Sequence, residues 1–273
     1  MFKILDKLNK DDRVLILSPH LDDAVLSAGG LMDRAVKSGV SATAATVFTA
    51  DAQFDGEPSP FVQELHAWWN LGPKPYELRC REDVASVQSL GADYIHGGML
   101  DAIYRRDDDG NFLYASRKAV FSPPAAKDPV WEPLRTLLAE WVRTVRPNVI
   151  LCPMTVGRHV DHVVTSEAFR RGYPEWNADV YLYEDIPYSL GLFPPKFPDS
   201  VSAAIERTAW KIGGRIDVDV DFERKFAAIM KYESQISEIF PELDAEAELK
   251  RYMSAGAQVG FVERFWRVEG VTG

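Results

Sequence analysis

Near the start of the chain, a cluster of histidine and aspartate side chains follows a short apolar run. Residues 14–18 read Val-Leu-Ile-Leu-Ser before Pro19, a pattern typical of a buried strand. His20, Asp22 and Asp23 come next, ahead of apolar residues at helical spacing that predict a helix. The cluster therefore lies in a strand-to-helix turn, at the edge where open parallel sheets bind ligands.

These residue types suggest a metal site. His20 offers an imidazole nitrogen and Asp23 a carboxylate oxygen, two kinds of ligand that zinc accepts together. Asp22 points in a different direction from Asp23 and is free to act as a base on water. The alternative is that both aspartates only cap the helix, since carboxylates are favoured at helix N-termini.

A second cluster has the same arrangement. The stretch 159–162 reads His-Val-Asp-His and follows another apolar run, 148–153, that is typical of a strand. Both clusters then meet at one sheet edge, and His20, Asp23 and one histidine of 159–162 would leave the open position of a catalytic zinc. The alternative is a pair of surface or core histidines that bind no metal.

Apolar strands alternate with amphipathic helices along the chain. This pattern favours a Rossmann-like α/β fold, with a mainly parallel sheet, helices on both faces and a C-terminal α+β extension. We expect a single domain over 1–273, with a core of about 13–190 and an extension over 200–273. The predicted strands are 14–18, 40–50, 92–99, 148–153, 179–183, 210–220 and 261–268. The predicted helices are 26–39, 79–90, 128–146 and 221–240, with a short helix within 51–78 and another helix that begins at the His159 cluster.

Three further segments carry predictions. Residues 101–127 form a long polar loop whose charge run, from Arg105 to Gly110, is interpreted as a solvated turn. Residues 184–200, which are rich in proline, form a loop that could wall a pocket. Trp68 and Trp69 could stack on a sugar ring, but core filling is the commoner use of such side chains and is favoured.

Composition limits the classes of partner. A formal net charge of −10 argues against nucleic acid or an anionic membrane surface as the main partner. Two cysteines imply no disulfide framework, and the first 13 residues contain no apolar core of a signal peptide. No run is long enough to insert into a membrane. We therefore expect a cytoplasmic protein that acts on a small molecule.

Four stretches together resemble the PIG-L (LmbE-like) family of zinc-dependent N-deacetylases. They are Pro-His-Leu-Asp-Asp at 19–23, Arg-Cys-Arg-Glu at 79–82, His-Val-Asp-His at 159–162 and Tyr-Glu-Asp-Ile-Pro-Tyr at 183–188. The similarity runs from about residue 13 to at least residue 240. It implies a zinc enzyme, or alternatively a ferrous one, that removes acetyl groups from N-acetylated amino sugars such as N-acetylglucosamine, or from glycoconjugates. It is also compatible with self-association of the chain.

The resemblance also implies a role for each matching residue. Asp22 would be the general base, and His159 the acid or electrophile, oriented by Asp161. Arg79 would reach into the pocket and Asp101 would hold sugar hydroxyls. The implied metal ligands are His20, Asp23 and His162.

The chain departs from the family pattern at several positions. Leu21 and Ala24 replace a proline and a third carboxylate that many members carry. Gly157 stands where some relatives have a tyrosine that polarises the substrate carbonyl, so Arg158 or a loop residue would have to compensate.

Two other functions remain open at this point. One is an amidase that cleaves a larger acyl or thiol-conjugated amide from an amino sugar. The other is a non-catalytic module that binds a sugar or nucleotide, although the acidic turn after the first strand would repel phosphates.

Overall fold

The computed structural model describes residues 7–54, 57–191 and 198–272, which build one seven-stranded sheet flanked by helices. The strands are β1 (Arg13–Ser18), β2 (Ser41–Phe48), β3 (Asp93–Met99), β4 (Val149–Pro153), β5 (Asp179–Tyr183), β6 (Trp210–Asp219) and β7 (Val262–Val271). The helices are α1 (Asp23–Lys37), α2 (Pro60–Trp69), α3 (Pro75–Ser89), α4 (Arg117–Val120), α5 (Trp131–Val145), α6 (Val160–Arg171), α7 (Val201–Arg207), α8 (Phe222–Ile229), α9 (Ile236–Ile239) and α10 (Ala245–Ser254).

The sheet order is β3-β2-β1-β4-β5-β7-β6. The first five strands are parallel, whereas β7 runs antiparallel to both β5 and β6. The chain moves outward from β1 to β3 and then returns to place β4 on the other side of β1. This reversal opens a crevice beyond the carboxyl ends of β1 and β4. The predicted Rossmann-like fold with a C-terminal α+β extension is confirmed.

Alternation along β1 explains why helices cover both faces. Leu15 and Leu17 belong to the core cluster that contains α5 and α6 residues, and Val14 and Ile16 belong to the cluster that contains α1 and α8 residues. Successive side chains on a strand point to opposite faces. A continuous apolar strand therefore needs helices on both sides.

The prediction of one helix over 221–240 is wrong. Helix α8 ends at Ile229, and the chain turns before α9 begins at Ile236. In this turn, the backbone N–H and hydroxyl of Ser234 both donate to Glu82 of α3, at 2.8 and 2.6 Å. The Tyr232 hydroxyl donates to Asp83 at 2.7 Å. These contacts with a distant helix stabilise the turn, and no local pattern reveals them.

Other boundaries differ modestly. Helices α1 and α3 each begin three or four residues earlier than predicted, and the predicted loop over 101–127 contains α4 and a short 3₁₀ helix. The predicted loop over 184–200 contains a second short 3₁₀ helix, and its residues 192–197 lie outside the described residues. Helices α7 and α10 were not predicted. Within the described ranges, no helix has the length and hydropathy needed to cross a bilayer.

The core-filling prediction fails for Trp68, which is 50% exposed and stacks against Arg117. Its neighbour Trp69 packs partly against the core and lines a cavity. The two tryptophans therefore have different surroundings despite their adjacency.

Candidate metal centre and active site

Four strand ends supply the histidine and aspartate side chains of the site. His20, Asp22 and Asp23 lie in the turn between β1 and α1, and residues 159–162 lie at the start of α6 after β4. Asp101 follows β3 and Asp185 follows β5. Because parallel strands end at the same sheet edge, residues up to 165 positions apart in the chain converge there.

Three of these side chains face one another closely. The Oδ2 atom of Asp23 lies 3.4 Å from Nδ1 of His20 and 3.2 Å from Nε2 of His162. A tetrahedral zinc ion with bonds of about 2.0–2.1 Å separates its ligand atoms by about 3.3 Å. Among the described residues, the buried Nε2 of His162 has no hydrogen-bond partner. The three atoms therefore fit a divalent metal ion.

The charges around His162 support the same conclusion. Burial lowers the pKa of His162, but the carboxylates of Asp23 and Asp185 outweigh it and raise that pKa to about 9. Groups that attract a proton to a nitrogen this strongly also attract a metal cation to it, in competition with the proton.

Each of the two histidines also has an outer nitrogen bound to a carboxylate. Nε2 of His20 lies 3.1 Å from Oδ2 of Asp161, and Nδ1 of His162 lies 2.7 Å from Oδ1 of Asp185. Arg105 donates to the other oxygen of Asp161 at 2.6 Å. Such outer contacts set the orientation and tautomer of metal-binding histidines. They leave Nδ1 of His20 and Nε2 of His162 facing the shared oxygen of Asp23.

His159 caps α6. Its Nδ1 accepts a hydrogen bond from the backbone N–H of Asp161 at 3.2 Å. Burial and the nearby charge of His20 lower the pKa of His159 well below its usual value, so the ring is neutral. Because Nδ1 accepts, the proton of the neutral ring lies on Nε2, which is therefore a donor. Asp161 thus contacts His159 through its backbone, whereas its carboxylate binds His20 and Arg105.

Asp22 has an unusual backbone. Its φ of 143° and ψ of −35° lie in a region that residues with a side chain rarely adopt. Its side chain makes no capping hydrogen bond, so the capping alternative is wrong for this residue. Burial, together with the charge of Asp23, raises the pKa of Asp22 to about 8, although Arg79 at 3.7 Å opposes this shift.

The expected substrate-binding residues divide into two groups. Arg79 is buried against the rings of Trp69 and Tyr76, with its guanidinium 5.7 and 5.1 Å from their centroids. Asp101 accepts a 2.7 Å hydrogen bond from the Tyr76 hydroxyl. Both Arg79 and Asp101 line the cavity at the metal centre. Arg158 is exposed and is not one of the lining residues that the structure describes.

The cavity has a volume of about 810 Å³, including its open mouth. Its lining combines polar side chains of the metal centre with apolar side chains from several helices. The apolar lining residues include Leu26, Phe61, Leu65, Ile103, Val120, Phe121 and Ile239.

Tyr188 also lines this cavity. Its ring packs over Gly157, the position at which some relatives have a tyrosine. Gly157 has a φ of 83°, and a Cβ atom added there would lie 2.3 Å from the Tyr188 ring. The ring of Tyr188 is centred 5.2 Å from that of His162. A loop residue therefore occupies the place where the absent side chain of residue 157 would lie.

Sequence reasoning missed several residues of the site. Asp185 had a usable signal, because it lies two positions after a predicted strand, and the two clusters also come after predicted strands. Arg105 was interpreted as part of a solvated turn, which is wrong, since its side chain is buried between Asp161 and Asp128. Glu238, which lines the cavity from α9, had no local signal.

Comparisons with known proteins agree with this geometry. A model of the GlcNAc-PI de-N-acetylase family (PIG-L) matches residues 15–173. The 2'-N-acetylparomamine deacetylase of Streptomyces fradiae is 32% identical over 179 residues, which cover 65% of this chain and only 58% of that protein. The enzyme of the same name from Niallia circulans is 24% identical over 95% of this chain and 92% of its own length.

Among solved structures, the zinc-inhibited form of a teicoplanin deacetylase is similar to this chain. The two structures superimpose with a TM-score of 0.82 at 28% sequence identity. The alignment covers 94% of this chain and 98% of the teicoplanin deacetylase. The similarity therefore extends over the C-terminal extension, beyond the part that the family model matches.

Proposed function

From the premise that this chain belongs to the PIG-L family, we propose that it is a metal-dependent hydrolase that removes the acetyl group of an N-acetylated amino sugar. One observation carries the proposal. The ligand atoms of His20, Asp23 and His162 lie within 4.8 Å of one another, with the buried Nε2 of His162 3.2 Å from Oδ2 of Asp23 and with Asp22 in the adjoining cavity. The deacetylases with similar sequences and structures support the reaction type.

We propose zinc as the metal, held by His20, Asp23 and His162, which together supply two imidazole nitrogens and a carboxylate oxygen. When bound, a zinc ion polarises an amide carbonyl and lowers the pKa of water. Two imidazoles and one carboxylate form a donor set that catalytic zinc enzymes use.

Asp22 acts as the proton acceptor in this mechanism. Its carboxylate lines the cavity next to the proposed ligand Asp23, and burial raises its pKa above that of an ordinary aspartate, which makes it a stronger base when it is ionised. It takes the proton of the attacking water and returns it to the leaving nitrogen. The guanidinium of Arg79, 3.7 Å from Asp22, favours the ionised form of this carboxylate, which is the form that accepts a proton.

His159 stabilises the oxyanion. Because its Nδ1 accepts the backbone N–H of Asp161, its Nε2–H is available as a donor in the cavity. A donor fixed before reaction needs little reorganisation as charge develops on the amide oxygen. Collapse of the tetrahedral intermediate then breaks the C–N bond and releases acetate and a free amine.

The direct test is acetate and amine release from N-acetylated amino sugars by the metal-loaded protein. We expect release that a chelator abolishes and zinc restores. A panel with longer acyl groups separates a deacetylase from the alternative amidase. Preference for a longer acyl group would replace the acetyl assignment, and no release from any amide by metal-loaded protein would refute the proposed function.

Two variants separate the assigned roles. His162→Ala should lose the metal and activity together, whereas Asp22→Asn should keep the metal and lose turnover. Asp108→Asn removes one exposed carboxylate outside the cavity lining and serves as the control. Loss of metal from Asp22→Asn would contradict this division of roles.

A further inference from the structure

Glu238 of α9 brings a carboxylate from the C-terminal segment into the active-site cavity. It lines the same cavity as His20, Asp22 and His159. Yet it lies outside residues 15–173, which the family model matches. The chemistry at the metal centre does not require it, and the catalytic steps above do not use it. A carboxylate in this position can affect which substrates bind in the cavity.

Only one oxygen of Glu238 has a fixed partner. Oε2 accepts a 2.6 Å hydrogen bond from the indole N–H of Trp69, which orients the carboxylate. Oε1 makes no hydrogen bond to the residues that the structure describes. Within these residues, no basic nitrogen lies within the 4.0 Å of an ion pair. The carboxylate is thus held in place with one oxygen uncommitted.

The surroundings make this carboxylate favourable for a cation. Burial raises the pKa of Glu238, although Arg79, Trp69 and Arg117 partly offset the effect. Glu238 is half-buried, and its oriented carboxylate has no ion pair among the described residues, so a cationic ligand in the cavity would make a charge-assisted hydrogen bond to Oε1. A neutral hydroxyl could donate a hydrogen bond to Oε1 but would leave the charge unbalanced.

The other carboxylates of the cavity are committed. Asp23 faces the metal position, and Asp22 lies beside Arg79. Asp101 accepts hydrogen bonds from the Tyr76 hydroxyl and the backbone of Ile103. Glu238 is therefore the cavity carboxylate that is left to recognise a ligand.

We infer that Glu238 binds a second, positively charged amino group of the substrate, separate from the acetamide that is cleaved. This inference rests on the proposed function and narrows the substrate class. The preferred substrates are N-acetylated amino sugars that carry a further free amine. Glu238 acts as a specificity-determining residue that anchors this amine while the acetamide lies at the metal centre.

The test compares N-acetylglucosamine with derivatives in which an amino group replaces one hydroxyl at a time. At pH 8 we expect the metal-loaded protein to prefer at least one derivative in kcat/KM. Glu238→Gln keeps an acceptor for Trp69 but removes the charge, and should reduce this preference about tenfold or more, mainly through KM. Glu233→Gln, which removes an exposed carboxylate of the same segment, should retain the preference.

A second measurement needs no variant. Acetylation of the added amine removes its charge and should abolish the preference in the wild-type protein. A preference that survives either this acetylation or Glu238→Gln would overturn the inference, as would the absence of any preferred derivative.

Calorimetric binding of the matching unacetylated sugars distinguishes this inference from the proposed function. Tighter binding of the diamino sugar that depends on Glu238, without acetate release from any substrate, would refute the deacetylase and leave the amine site standing. Acetate release without binding that depends on the charge of the added amine would support the deacetylase activity and refute the amine site.

Discussion

Nδ1 of His162 and Oδ1 of Asp185 lie 2.7 Å apart, and both side chains are fully buried. The contact directs the opposite nitrogen of His162 toward Asp23, where the metal is expected. Asp185 also accepts the backbone N–H of Val156, so it connects the loop after β4 to the strand end of β5. It is a positioning residue, and the first prediction concerns it.

Asp185→Asn should weaken metal binding by about 10- to 100-fold, because His162 loses the charged partner that sets its tautomer and basicity. Competition with a chromogenic chelator measures the affinity. Asp108→Asn is the control, since this residue is exposed and outside the cavity lining. Unchanged affinity in Asp185→Asn would mean that the contact does not support a metal ligand.

His159→Ala should lower kcat about 10²- to 10³-fold, because it removes a donor aimed at the developing oxyanion. Metal content should stay near that of the wild type, as measured by elemental analysis of the purified protein. His159 also lies near His20 and Asp161 in a second group with ligand spacing. Loss of metal from His159→Ala would show that His159 is a metal ligand and not an oxyanion donor.

Asp22→Gly should unfold less readily than Asp22→Asn. Both variants remove the charge, but only glycine relieves the backbone at a φ of 143°. The expected difference in unfolding free energy is about 1 kcal/mol, measured by urea denaturation of metal-free protein. Both variants should be inactive. Equal stability of the two would show that Asp22 is not strained.

Gly157→Ala should destabilise the protein and displace Tyr188 from the cavity. The added Cβ would lie 2.3 Å from the ring, at a backbone φ of 83°. We expect a loss of about 1–3 kcal/mol and a fall in activity. Gly110→Ala is a matched control, because Gly110 has a φ of 82° and open space around it. Equal losses in the two variants would exclude a role for the Tyr188 contact.

His96 should make stability depend on pH. Burial lowers its pKa, but the hydrogen bond to Asp83, with a contribution from Cys80, raises it to about 9. The folded-state pKa then exceeds the usual value near 6.5, so the contribution is fully present below that pH and is lost as pH rises through about 9. Urea unfolding at pH 6.5 and 9.5 should show a larger fall for the wild type than for His96→Gln. An equal fall in the unfolding free energy of both proteins would contradict the raised pKa of His96.

Local patterns in the sequence determined the fold class and the position of both histidine clusters. The apolar run in β1 needed helices on both sides, and parallel strands can only bring their carboxyl ends to the same edge. His20, Asp23 and one histidine of 159–162 could therefore be predicted to lie together from the sequence, and the family resemblance selected His162. Predicted helix ends were less accurate, because the contacts that end α8, such as those of Ser234 with Glu82, come from distant parts of the chain.

Only the tertiary structure decided which partner each charged side chain has. Arg105 belongs to a run of charged residues that is typical of a solvated turn. Its side chain is nevertheless buried, because it donates hydrogen bonds to Asp161 and Asp128, which lie 56 and 23 positions further along the chain. Asp161 contacts His20 rather than only its neighbour His159, and Glu238 reaches Trp69 across 169 positions. Electrostatic contacts depend on distance in space and on the exclusion of water, and neither is encoded in local spacing.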